Sequence, residues 1–229
     1  MLSDLDAQAR SFAADTSEVL NRTICNGVRI TPLTTANGKT IMGFGIKRTK
    51  IQPDPIPIGL AGTKPRLFLY LAHSYELDPE GVYLAMSAST MSLYSSEAME
   101  DDDLVVAIDY TRQPVNSFPG SHLHVSGERS DLDGLYLGDR RKSRTLRDLH
   151  LPVGGKRFRP TLEDLIEFVV TEEMVVPRDG WEAAVAEHRS RWHSIQLKAA
   201  VRRNPNDAAS ALREAGWCVS GPDACGGAE

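Results

Sequence analysis

Leu67-Phe68-Leu69-Tyr70-Leu71-Ala72-His73-Ser74-Tyr75 is followed by Asp78-Pro79-Glu80-Gly81, then by Val82, Leu84, Met86 and Ala88 at every second position. Successive side chains of a strand leave on opposite faces. Leu67, Leu69 and Leu71 therefore share one face, and Phe68, Tyr70 and Ala72 share the other. Both sets suit a strand covered on both sides. Proline at the second position of Asp78–Gly81 fits a tight turn. The whole reads as an antiparallel hairpin whose second strand alternates its apolar residues outward. His73 inside the first strand reads as a hydrogen-bonded structural residue.

The same pattern extends to both sides. Val28 and Ile30 alternate before the turn signal Asn37-Gly38, and Met42, Phe44 and Ile46 alternate after it, which makes Val28 to Lys50 a hairpin. Gly43 and Gly45 in the intervening positions point to a bulge or to close backbone approach. Ile51 to Pro65 carries Pro53, Pro55, Pro57 and Pro65 and reads as an irregular surface connection. Glu97 to Asp103 is an acidic turn without the spacing of a calcium loop. Leu104 to Tyr110 and Ser121 to Val125 continue the strands, with Asp109 near the end of the first.

Helices flank this meander. Ser3 to Asn26 is amphipathic through Leu5, Ala9, Phe12, Thr16 and Val19 or Leu20, with Ser3 and Asp6 as its cap and Asn26-Gly27 as its stop. Thr161 with Asp164 caps a helix whose stripe is Leu162, Leu165, Ile166 and Val169. Asp179 to Arg203 carries Trp181, Val185, His188, Trp192, Ile195 and Ala199 at helical spacing, and Asp207 to Ala215 follows the break at Asn204-Pro205. The expected class is α+β: an antiparallel sheet of about five or six strands with an N-terminal helix and C-terminal helices packed on it. One domain is expected over residues 1–220, with a disordered tail at 221–229.

The chain has 229 residues, 41% of them hydrophobic and 25% charged, as in ordinary globular domains. No apolar run approaches the roughly 20 residues that cross a bilayer, so no membrane partner is expected. Asp4 and Asp6 stand where a secretory signal would be basic. Cys25, Cys218 and Cys225 show no metal spacing, which points to a reduced, cytoplasmic setting. The net charge of −5 argues against a surface built wholly for nucleic acid. Its distribution is uneven. Residues 139–160 carry eight basic and two acidic side chains, a balance of +6 that leaves −11 for the rest.

Three of the six histidines, His122, His124 and His150, lie near this basic segment. His122 and His124 are two apart on a strand, so their rings leave on one face from backbone positions about 6.5–7 Å apart. That placement offers two imidazoles to one divalent metal, with Glu128 as the third ligand in the spacing His-x-His-x3-Glu. The spacing resembles the first half of the cupin metal motif, but the second half is missing and the C-terminal third is helical, so the cupin fold is not expected. Gly154-Gly155, Lys156, Arg157 and Arg159 precede the Thr161 helix. Together with Arg140 and Arg141 they form an anion-binding set at a helix N-terminus. No phosphate-binding loop, dinucleotide fingerprint or glycine-flanked serine nucleophile occurs.

Two functions follow as expectations. One is a binding or adaptor protein whose basic segment engages an acidic protein or a nucleic-acid backbone. The alternative is a small hydrolase or nuclease, toxin-like and histidine-dependent, with His122, His124 and His150 as general acid and base groups and a divalent metal as cofactor.

The order helix, antiparallel meander, irregular connection and closing helices resembles the ubiquitin-conjugating/RWD-like fold. Tyr110 to Pro119 is similar to that family's proline-bearing loop. His122-Leu123-His124 followed by Gly127 is similar to its histidine-containing turn, and Arg159-Pro160-Thr161-Leu162 to the approach to its next helix. Where the family carries its catalytic cysteine, around Gly134-Leu135-Tyr136-Leu137, this chain has none. The resemblance therefore implies a fold and a position for the histidine turn, without thioester chemistry.

Overall fold

The computed structural model describes residues 2–35, 37–60, 62, 64–78, 81, 83–115, 118–127, 151–153 and 159–221. It divides into two compact units, Met1–Ala186 and Glu187–Glu229. The class is α+β, as the alternation predicts. Helix α1 spans Leu2–Thr23, and the strands are β1 (Ile30–Thr34), β2 (Thr40–Phe44), β3 (Ile56–Ile58), β4 (Leu67–Leu77), β5 (Leu84–Tyr94), β6 (Leu104–Thr111), β7 (Ser121–Val125) and β8 (Leu151–Pro152). Helix α2 spans Leu162–Thr171, α3 Trp181–Arg203 and α4 Pro205–Glu214. Every pairing is antiparallel, in the order β1-β2-β4-β5-β6-β7-β8, with β3 beside β4.

Eight strands stand among the described residues where five or six were expected. One addition is β3, inside the proline-rich connection. Ile56 and Ile58 are buried and Pro57 between them is exposed, so three residues pair with β4 while Pro55 limits the ladder on the N-terminal side. The N-terminal helix also starts earlier than the cap signal implied. It already runs at Leu2, which puts Ser3 inside the first turn rather than at the cap.

One face of the sheet makes the core. Leu69, Leu71 and Leu93 are fully buried there, with Met42, Met91 and Ile108 beside them. Helix α1 contributes Ala13, Val19 and Leu20, with Ile24 just past its end, and its Phe12 stacks on Tyr75 with ring centroids 5.7 Å apart. Helix α2 contributes Leu162, Leu165, Ile166 and Val169, and Val185 of α3 closes the cluster. The start of α2 follows its signal: the Thr161 amide donates to Asp164 Oδ2 at 2.8 Å, satisfying a helix-end donor. A bulge between Ser74 and Tyr75 shifts the β4–β5 register. For that reason Leu84 and Met86 pack against the core rather than pointing outward.

Beta-1 is an edge strand and is blunted. The Thr35 amide donates to Lys39 O at 2.8 Å, and alternation along the ladder then turns the Ile30 and Pro32 nitrogens away from β2. The Ile30 amide is taken by Ser17 Oγ of α1 at 2.9 Å, and Pro32 has no donor to leave open. Gly43 confirms close approach as the reason for a glycine in β2. A Cβ added there would lie 2.5 Å from Pro53 Cγ and 2.8 Å from Leu71 O.

In the second unit, the distal part of α3 runs to Arg203 and α4 starts at Pro205, whose missing amide costs nothing at a first helical position. No described residue of this unit is buried.

Beneath the sheet lies a row of polar side chains in register: His73, Ser89, Tyr110 and Ser121, from β4 to β7. All four are buried. His73 Nδ1 bonds the Tyr75 hydroxyl at 3.2 Å, which agrees with a structural role. The Arg159 guanidinium lies 4.2 Å from the Tyr110 ring centroid, a cation–π contact. Burial, and then the Arg159 charge, hold the His73 pKa down at about 4, against an opposing pull from Glu163.

Two outcomes follow from this packing. Gly43→Ala should destabilise the fold by about 1–3 kcal/mol in denaturant titration, because a backbone carbonyl stands in the way. An unchanged midpoint would mean that the crowding is relieved without cost. His73 generates a pH effect. Between the ordinary value of 6.5 and about 4, the unfolded chain takes up a proton that the folded chain refuses. Stability therefore falls as pH falls through that window and is level above it. The unfolding free energy of the native chain should drop by about 3 kcal/mol more than that of His73→Gln between pH 7 and pH 4. Equal slopes for the two proteins would contradict a neutral, buried His73.

Candidate metal centre

The outer face of the same strands carries a second polar row. Thr90 of β5 pairs with Asp109 of β6, and Asp109 pairs with His122 of β7. His124 stands two residues along β7 on the same face, opposite Ala107. The two imidazoles predicted from the x-His-x-His spacing are thus brought together, with ring centroids 4.9 Å apart and planes at 84°. The third group is Asp109. Ligand atoms of Asp109, His122 and His124 all lie within 4.8 Å of one another.

The surroundings orient these atoms. His122 Nδ1 lies 2.8 Å from Pro119 O. A carbonyl only accepts, so Nδ1 is the donor in this contact, and in a neutral ring Nε2 is then the nitrogen with the lone pair. The Thr90 hydroxyl donates to Asp109 Oδ1 at 2.6 Å, and Asp109 Oδ2 lies 3.5 Å from His124 Nε2. A backbone carbonyl behind one histidine and a hydroxyl behind the carboxylate are the outer partners that metal-ligating groups ordinarily have. The Asp109 and His124 side chains are 26% and 17% exposed, enough to keep some hydration.

Two imidazoles and one carboxylate form a donor set for zinc, or for iron(II) in the facial arrangement. Bonds of about 2.1 Å in a tetrahedral shell put ligand atoms about 3.4 Å apart, so the set must draw in by roughly an ångström. Three protein ligands leave further coordination positions for water or substrate. In the row through Asp109, the neighbours on the inner strands are Gly43, Ala72 and Thr90, all small.

Other candidates from the sequence are placed differently. Glu128, His150, Arg140, Arg141, Lys156 and Arg157 lie outside the described residues. Arg159 lies beneath the sheet against Tyr110, on the opposite side from the histidine pair. Asp109 and Thr90 were not singled out as site residues. Their only local signal is a polar side chain within an apolar strand, and the cross-strand register that joins them to His122 has no counterpart in the local sequence.

No protein-family model, curated protein or solved structure matches this chain. Among the described residues, no helix is long and apolar enough to cross a membrane.

Proposed function

We propose that Asp109, His122 and His124 bind one divalent transition-metal ion and that the protein is a metal-dependent hydrolase. The observation that carries this reading is the convergence of ligand atoms of Asp109, His122 and His124 within 4.8 Å of one another, with His122 anchored through Nδ1 on Pro119 O. The carboxylate offsets one of the ion's two charges, and the neutral imidazoles supply the remaining donors. Such an ion polarises a carbonyl or phosphoryl oxygen and activates water near neutral pH. The chain's own part is to hold the donors. Thr90 keeps Asp109 turned toward the histidines, and the Pro119 carbonyl keeps His122 from presenting the wrong nitrogen.

Without an ion, Thr90, Asp109 and His124 form a polar chain that ties β5, β6 and β7 together. Metal content separates the two arrangements. Purified protein reconstituted with zinc should retain one ion per chain by elemental analysis. Asp109→Asn and His122→Ala should abolish retention, and Thr90→Val should weaken zinc binding about 10- to 100-fold in competition with a chromophoric chelator. Hydrolysis of p-nitrophenyl acetate, p-nitrophenyl phosphate and its bis ester then reports the bond class. Failure to hold any of zinc, manganese or iron(II) stoichiometrically would refute the proposal. Stoichiometric metal without turnover of any ester would leave a binding site and refute the enzyme.

A further inference from the structure

A groove runs between α1 and the β1 edge, on the side of the sheet away from Asp109 in strand order. Its volume is about 710 Å³, within the range of roughly 300–1,000 Å³ for small-molecule sites. The α1 side is floored by Ala9, Ala13 and Ala14, whose short side chains leave room beside the strand, and the β1 side by Pro32 and Leu33. The strand edge offers little to another strand, since Ile30 N is taken and Pro32 has no amide proton. The groove is therefore shaped for a small molecule rather than for an added β-strand.

Arg10, Arg29 and Arg48 line it, from α1, from the residue before β1 and from the turn after β2. The two carboxylates that also line the groove are engaged. Asp6 Oδ1 accepts from the Thr34 hydroxyl at 3.1 Å, and Glu18 pairs with Arg22 at 2.9 Å. Among the described residues, no hydrogen bond or ion pair engages Arg10, Arg29 or Arg48. The lining thus carries three guanidiniums against two carboxylates, a surplus of positive charge over an apolar floor that an anion would offset. Guanidinium forks match planar or tetrahedral oxyanions with paired hydrogen bonds.

We propose that this groove binds a small organic dianion, an oxyanion head held by Arg10, Arg29 and Arg48 with an apolar body lying on Ala13, Ala14 and Leu33. A phosphate monoester and a dicarboxylate present the same chemistry to these residues. Isothermal titration with phenyl phosphate, phenylsuccinate and inorganic phosphate distinguishes them. One of the two phenyl compounds should bind more tightly than inorganic phosphate, and the tighter one identifies the head group. Arg29→Gln and Arg48→Gln should each weaken binding by about tenfold or more with an unchanged melting temperature, since these side chains are exposed. Ala14→Trp keeps all three arginines and fills the floor, so it should remove the advantage of the phenyl compounds over inorganic phosphate.

The site is independent of the metal centre. The same affinities are expected in excess EDTA and in Asp109→Asn, so failure of one proposal does not touch the other. Absence of binding by both phenyl compounds would overturn the groove site. So would an inorganic phosphate affinity equal to theirs, which marks an adventitious ion only. Binding unaltered by the arginine substitutions would place the anion elsewhere on the chain and overturn it as well.

Discussion

The pairing of β4 with β5 is the constraint on which the other elements depend. Each strand is 11 residues long, and their register runs from Phe68 opposite Tyr94 to Leu77 opposite Leu84. A slip by one residue would send buried Leu69, Leu71 and Leu93 to the outer face and bring Tyr70, Ala72 and Ser92 in. Burying each leucine is worth about 1.5–3 kcal/mol, so the apolar alternation holds the register firmly. The remaining strands inherit it. Beta-6 is aligned through Thr90 and Asp109, and β7 through Asp109 and His122. The metal candidate is thus assembled by leucines two and three strands away.

Because the register is inherited, the site was only half legible in the sequence. The rule that puts His122 and His124 on one face acts within a strand and needs two residues' knowledge. Asp109 reaches them through a cross-strand pairing, and nothing local to Leu104–Tyr110 states which residue of β7 will stand opposite. Thr90 is one strand further removed. The fold shows the same division. The hairpin at Asn37-Gly38 and the Thr161–Asp164 cap are local chemistry and were plain. Beta-3 was hidden because Pro55 and Pro57 are read as loop residues, although Pro57 tolerates the exposed position between two buried isoleucines. The bulge at Ser74 and Tyr75 has no residue signature, so the inward turn of Leu84 and Met86 could not be read from alternation alone.

Arg159 illustrates how a charge count misleads about position. In the sequence it belongs to the densest run of cations, and runs of cations usually face solvent. Two residues before the capping Thr161, however, the chain is about to enter a helix whose next residues, Leu162 and Glu163, are buried. Its guanidinium carbon lies over the Tyr110 ring, which replaces part of the hydration that the charge gives up. A tyrosine on a strand about fifty residues earlier decides the matter.

The pleat separates two polar rows that share backbone but not electrostatics. His73, Ser89, Tyr110 and Ser121 lie inward, one residue along each strand from Ala72, Thr90, Asp109 and His122. The inward row is dry enough to keep His73 neutral. A dication there would meet the charge of Arg159 and would have to shed its water into the core, a cost of many kcal/mol. The outward row keeps partial access to water and holds the carboxylate. Of the two rows, the outer one is the better placed for the proposed ion. The inner row also limits how the donors can close on it. Tyr110 and Ser121, buried beside Asp109 and His122 in their strands, resist drawing β6 and β7 nearer. If the proposed ion binds, contraction from 4.8 Å would come from side-chain rotation, with Asp109 and His122 steered by Thr90 and Pro119 and the His124 ring turning toward them.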